Sequence, residues 1–262
     1  MNTPLEDIEF LARSDHRVNA LGALSVGPQK RGDLRVATGA SNATVGRILS
    51  EFEARTWVHR DADQYELTSL GEFIADGFFD LVERLEIEQS IRGVWRWFPT
   101  KLGFSLEMFS GATVTRPNGS NPYSPNNRYI ELVEASTTLR EMGRVPLKPE
   151  NVRAVLEQAV AGTSVELVFD EESLRYMLGR EPELANEALA SGNLVLLTHG
   201  DLPGGLALFD DCVGTCCRDY ETGISRAIID TDTPEALEHA RVVFDVYRRD
   251  AVPFEAEALT AR

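Results

Sequence analysis

Cys212, Cys216 and Cys217 fall within six residues of one another, and His199 precedes them. Thiolates beside an imidazole can hold a thiophilic metal such as zinc or copper. The spacing is not a Cys-x-x-Cys pair, however, and neighbouring residues of a strand point to opposite faces. A buried free cysteine also serves as a small apolar residue. Structural thiols are therefore the default, with a metal- or thiol-responsive sensor as the alternative. A second group could bind a small effector: Arg116, Tyr123, Arg128, Asp170, Thr198, His199 and Arg226, with Asp210 and Asp211 as further contributors. Several arginines suit an anionic metabolite such as a sugar phosphate or a carboxylate. The competing reading is that they balance nearby acids on a solvated surface. No Gly-x-x-x-x-Gly-Lys-Ser/Thr loop, Gly-x-Gly-x-x-Gly turn or Gly-x-Ser-x-Gly elbow occurs. Neither a catalytic residue nor a cofactor is expected.

The most specific pattern lies nearer the N-terminus. Arg31–Ala37 reads as a short helix with Leu34 and Ala37 inward, followed by a Thr38-Gly39-Ala40 turn and Ser41 as the N-cap of a second helix. In that second helix Val45, Ile48, Leu49 and Phe52 recur at the spacing of one buried stripe. The opposite face carries Ala43, Thr44, Arg47 and Ser50, small, polar or cationic residues that suit a helix pressed into a groove. Trp57–Arg60 and Tyr65–Thr68 then alternate as two strands around the tip Asp61–Gln64. This order predicts a helix-turn-helix with a wing, used mainly to place one helix in the major groove of DNA.

Charge supports that prediction. The chain carries 26 Lys and Arg against 42 Asp and Glu, a net of −16, yet between His16 and Arg60 seven cations face three anions. A basic island on such a motif is the footprint expected of a DNA reader. On this reading Thr44 and Arg47 meet base edges, Arg31, Arg35, Ser41 and Asn42 hold phosphates, and Arg60 steadies the wing. Asp61 and Asp63 give that wing an acidic tip. Lys occurs at three positions only, against 23 Arg. An acid-rich, Lys-poor chain fits a cytosol of molar salt, where the Debye length shrinks to about 3 Å and nonspecific phosphate binding weakens steeply.

A chain of 262 residues predicts two domains. Helices are expected over Leu5–Ala12 and from Ser14 or Asp15 to Ser25, and Gly71–Phe98 reads as one long helix. Its apolar residues could pair with those of a second copy, or pack on the chain's own C-terminal half. Beyond Gly103, strands are expected at Gly111–Thr115, Ser164–Phe169, Asn193–Thr198, Gly205–Phe209, Val213–Cys217 and Ile224–Ile229. Helices are expected at Asn127–Glu141, Pro149–Ala161, Glu171–Leu178, Pro182–Ala190 and Pro234–Arg249. The strands at 164–169 and 193–198 should pair in parallel, and the last three should form an antiparallel meander. The expected fold is thus an α+β winged-helix domain over 1–76, a linker and dimerisation helix over 77–99, and an α/β mixed-sheet sensor domain over 100–262. No apolar run is long enough to span a membrane, and no basic-then-apolar start marks secretion, so a cytoplasmic location is expected.

Residues 14–76, with the motifs at 31–47 and 65–73, resemble the N-terminal winged helix of haloarchaeal transcriptional regulators. Gly205–Asp211 and Arg226–Ala236 are similar to regulators whose C-terminal domain is named after a methanogenesis regulatory protein. The resemblance implies a transcription factor that binds double-stranded promoter or operator DNA as a homodimer, with a possible small-molecule effector. Sensor domains of this layout can resemble the phospholipase D fold, whose active site needs a His followed two residues later by Lys. None of His16, His59, His199 and His239 is so followed. The alternative of a different class is an enzyme whose winged helix makes protein contacts.

Overall fold

The computed structural model describes residues 3–219 and 221–255. The chain divides after Leu85 into two compact units.

The first unit holds α1 (Pro4–Ala12), α2 (Asp15–Ser25), β1 (Gln29–Lys30), α3 (Arg31–Thr38), α4 (Asn42–Glu53), β2 (Val58–Asp61), β3 (Gln64–Leu67) and the start of α5 (Ser69–Arg92). Leu21, Leu24, Leu34, Val45, Ile48, Leu49, Phe52 and Trp57 form its core. The wing closes through Ala62, held left-handed at φ 51°. The pairing of β1 with β3, Gln29 opposite Tyr65, completes a three-stranded sheet that the sequence pattern had not indicated. Inside α3 the buried partner of Leu34 is Thr38, not Ala37, which is exposed. The Thr38 hydroxyl donates to the Leu34 carbonyl at 2.7 Å, so a polar residue enters the core with its hydrogen bond made.

The second unit is built on one mixed sheet. Its elements are three short 3-10 turns (Trp95–Trp97, Thr100–Leu102 and Leu106–Phe109), β4 (Thr113–Thr115), α6 (Ser124–Glu134), β5 (Thr138–Gly143), α7 (Pro149–Ala161), β6 (Ser164–Phe169), α8 (Glu171–Leu178), α9 (Pro182–Ala190), β7 (Leu194–Thr198), β8 (Leu206–Leu208), β9 (Val213–Asp219), β10 (Ile224–Thr231), α10 (Pro234–Asp250) and β11 (Val252–Pro253). The strand order is β11-β7-β6-β5-β8-β9-β10-β4. β5, β6 and β7 are parallel, and β8, β9 and β10 form the antiparallel meander. Leu139, Val165, Leu167, Phe169 and Leu196 pack under α6–α9. On the other face Met142, Val168, Leu206 and Leu208 meet Ala236, Ala240 and Phe244 of α10.

Two elements depart from the sequence expectation. The helix expected over Asn127–Glu141 ends at Glu134, and its second half is the central strand β5. A distant residue causes the switch. The Asp210 carboxylate accepts from the Thr137 and Thr138 amides, both at 2.8 Å, and from their hydroxyls at 3.0 and 2.6 Å. Four hydrogen bonds hold the chain out of the helix, from a residue more than 70 positions away. Asp210→Ala should therefore destabilise the chain by about 1–2 kcal/mol, read as the unfolding midpoint in urea. An unchanged midpoint would remove this account of where β5 begins.

The long helix expected to reach Phe98 ends at Arg92. Arg116 donates to the Ser90 carbonyl, and Val94 turns back onto Ile91 at 2.8 Å. Ile87, Ile91, Val94 and Phe98 are buried with Phe109, Cys217, Ala227 and Ile229. The last turns of α5 thus belong to the core of the second unit.

Candidate nucleic-acid interface and effector region

The turn between α3 and α4 is set by Gly39, whose φ of 65° ends α3 in the left-handed region that favours glycine. Ser41 then caps α4, accepting from the Thr44 amide at 3.2 Å, and its hydroxyl meets that of Thr44 at 3.0 Å. No acid occupies the first turn of α4, so its free amides keep their positive end unquenched. Val45, Ile48, Leu49 and Phe52 are buried, which leaves Asn42, Ala43, Arg47 and Ser50 facing outward.

The structure sorts the seven cations of this region. Arg17 pairs with Glu51 at 3.0 Å and Arg55 with Asp7 at 2.9 Å, and their guanidiniums lie 4.1 and 3.7 Å from the centre of the Phe10 ring. Lys30 meets Asp63 at 2.7 Å, which lowers the Asp63 pKa and raises that of Lys30. Among the described residues, the other four make no ion pair. Arg31 donates to the Asn42 carbonyl at 2.6 Å, and a Cβ added to Gly46 would stand 2.2 Å from its Nη2. It is therefore a strut between the two helices, admitted by the missing side chain at 46. Arg60 folds onto the wing tip, donating to the Ala62 carbonyl at 3.0 Å. Arg35 and Arg47 are exposed, and their side chains make no hydrogen bond within the described residues.

The acidic wing tip thus ties down a cation that would otherwise face outward. Asp63→Asn should release Lys30 and remove a negative charge, tightening binding to arbitrary duplex DNA by about 3- to 10-fold and steepening its salt dependence by about one unit. Fluorescence anisotropy across a salt series measures both. Unchanged affinity would place the wing tip away from the duplex.

The expected effector residues fall into separate groups. Asp170, Thr198 and His199 do share the carboxyl edge of the parallel strands. Asp170 caps α8, accepting from the Ser173 amide at 2.8 Å and its hydroxyl at 2.6 Å. Thr198 donates to the Val252 carbonyl at 3.3 Å, and His199 accepts from the Asp201 amide at 3.1 Å. A cleft of about 360 Å³ opens at this edge, lined by Arg144, Pro146, Asp170, Glu172, Ser173 and Tyr176. The arginines lie elsewhere. Arg226, on β10, is five strands from β7, or roughly 24 Å at the usual strand spacing. It donates to Asp219 at 2.8 Å and covers the Trp97 ring at 4.8 Å. Arg116 is bound to Ser90 beyond β4, and Arg128 pairs with Asp230 at 2.6 Å on the α6 face. Tyr123 is exposed before α6. Asp210 belongs to the opposite end of β5, at the clamp described above, with Asp211 beside it.

Sequence reasoning missed Glu141, hidden inside the helix expected over Asn127–Glu141. Its buried carboxyl accepts from the Tyr129 hydroxyl, and burial pushes its pKa up to about 7 against the opposing pull of that hydrogen bond and of Arg218. Burial also pushes the thiols of Cys212 and Cys217 up to about 12, and Cys216 Sγ lies 3.1 Å from the Ser225 hydroxyl. Among the described residues no three His, Cys, Asp or Glu side chains gather as a metal site would require.

Two family models match the chain, the haloarchaeal HVO_A0261 N-terminal domain over residues 5–90 and the middle domain of methanogenesis regulatory protein FilR1 over residues 122–250. Each matched segment is thus similar to one of these two domain families. Both halves of the resemblance read from the sequence are thereby confirmed; the first match spans the winged helix and most of α5, and the second runs from before α6 to the end of α10, leaving β4 and β11 outside it. No curated protein matches in sequence. Among solved structures, the archaeal chromatin protein TrmBL2 is 13% identical over 96% of this chain and 100% of that one, with a TM-score of 0.43. Nuc, a phospholipase D family member from Salmonella typhimurium, is 18% identical over 55% of this chain and 98% of its own, with a TM-score of 0.44. HmgR from Pseudomonas aeruginosa is 14% identical over 92% and 97%, with a TM-score of 0.26. Likenesses this loose carry no argument. Among the described residues, no helix is long and apolar enough to cross a membrane.

Proposed function

We propose that this chain is a sequence-specific DNA-binding transcriptional regulator, acting in the cytoplasm as a homodimer whose sheet domain senses a small molecule. The observation that carries the reading is the division of charge on the winged helix. Arg17, Lys30 and Arg55 are neutralised by carboxylates, while Arg35 and Arg47 stand unpaired on the outward face of α3 and α4, beside amides that no acid quenches. Arg47 reads a guanine edge, with Thr44 beside it on the same helix. Arg35 and the Ser41 and Asn42 region hold phosphates, Arg31 fixes the angle between α3 and α4, and Arg60 orders the wing.

The effector would enter the cleft at the carboxyl edge of β5 and β6, the usual place for ligands of open α/β sheets. Arg144 lines the cleft together with Asp170 and Glu172, so it suits a small polar molecule that carries both a donor and an acceptor group. Because Ile87 and Ile91 of α5 are buried in the sensor core, repacking of that core would be passed along the helix.

Selection of genomic fragments by the purified chain in molar potassium chloride tests the reading. Enrichment of a shared, roughly palindromic site by wild type, and not by Arg47→Ala, is the expected result. Fragments retained equally by both proteins, or by neither, would overturn it.

A further inference from the structure

Residues of α1 and α5 leave a groove of about 660 Å³, lined among others by Ile8, Leu11, Trp57, Phe73, Phe78 and Leu81. Phe73 lies at its wall and is 76% exposed, although Phe is among the costliest side chains to leave in water. Phe73, Gly77, Leu81 and Leu85 follow at four-residue steps down α5, forming one ridge. Gly77 interrupts it: nothing lies within 4 Å of where its Cβ would stand. Ile8, Leu70, Phe73, Leu81 and Leu85 together leave on the order of 500 Å² of apolar surface in water. That lies in the upper part of the roughly 300–600 Å² of the largest apolar patch on a monomer, a patch that is often functional, and is most of the roughly 800 Å² per partner in a standard interface.

We propose that this face of α1 and α5 pairs, about a two-fold axis, with the same face of a second copy of this chain. The inference rests on the homodimer reading above and supplies its surface. Ridges of residues four apart interdigitate at about 50°, and the Gly77 notch lets the two α5 helices approach at the crossing. A two-fold contact is self-complementary, so each copy's Phe73 fills the other's groove. The rim residues Asp76 and Asp80 are acidic on both copies. Their repulsion is small where the Debye length is about 3 Å, while apolar burial persists. The pairing therefore tightens as salt rises, whereas a basic partner peptide would be released.

Light scattering and sedimentation of the full chain, at low and at molar potassium chloride, test the proposal. Wild type should be a dimer that strengthens with salt. Phe73→Asp should weaken it at least about 30-fold with an unchanged circular dichroism spectrum. Leu81→Asp provides the same reading should Phe73→Asp fail to fold. Val26→Asp, at a residue 87% exposed and outside the groove lining, should leave the dimer intact. A dimer indifferent to both groove substitutions would overturn the surface and leave the homodimer reading standing. A monomeric wild type, or a dimer that salt dissociates, would overturn the proposal outright. Fragment selection on the same samples keeps the questions apart, since lost enrichment by a dimeric wild type counts against the regulator reading alone.

Discussion

Arg47→Ala lowers affinity for the selected operator by about 5- to 150-fold, the equivalent of about 1–3 kcal/mol for one bidentate arginine–guanine contact. The loss is confined to binding, because the Arg47 side chain is exposed and makes no hydrogen bond or ion pair among the described residues. Its removal leaves the buried stripe of Val45, Ile48, Leu49 and Phe52 intact, so the unfolding midpoint stays at the wild-type value. Discrimination at one base position of the site relaxes, while binding to arbitrary duplex falls much less. Titrations in molar potassium chloride make the distinction sharp, since screening removes most long-range attraction and leaves fitted contacts. Equal affinity of the two proteins for the operator would take Arg47 out of the interface.

Glu141→Gln makes the protein more stable at pH 8 and nearly unchanged at pH 5. Burial pushes the Glu141 pKa from 4.5 up to about 7, so the folded state favours its protonated form. The group's stabilising contribution is therefore fully present below its unfolded value of 4.5 and is lost as pH rises through about 7. Two to three pKa units correspond to about 3 kcal/mol as an upper figure. The groups facing it are the Tyr129 hydroxyl, which burial and the carboxylate push well above 10, and the Arg218 guanidinium. Glutamine keeps a neutral acceptor for Tyr129 and has nothing to titrate. Urea unfolding of both proteins at the two pH values isolates the term, because every other carboxylate is common to them. Parallel stability curves would mean that Glu141 is ionised in the fold.

What the sequence made legible follows from locality. In α4 the cap, the stripe and the outward face are fixed by residues within four positions of one another, and each was readable. Pro149–Ala161, Glu171–Leu178 and Pro182–Ala190 were bounded by their own prolines, acids and glycines, and the structure repeats those limits. β5 was hidden because Asp210, which starts it, lies far along the chain, and because a buried glutamate breaks the apolar alternation of a strand. The arginines misled for the same reason. Residue type could suggest Arg116, Arg128 and Arg226 as one anion site, but only tertiary structure assigns them to the Ser90 carbonyl, Asp230 and Asp219. Charge counting found the basic island and could not separate Arg17 and Arg55, which brace Phe10, from Arg35 and Arg47, which face outward.

The measurement that tests the central claim most directly is a hydroxyl-radical footprint of the full chain on an enriched genomic fragment in molar potassium chloride. The account predicts two protected backbone patches, centred about one helical turn, or roughly 34 Å, apart, and both lost when Arg35 and Arg47 are replaced together by alanine. A single patch would contradict the paired reader. Absent protection, or protection that survives the double replacement, would contradict the claim that the outward face of α3 and α4 meets DNA.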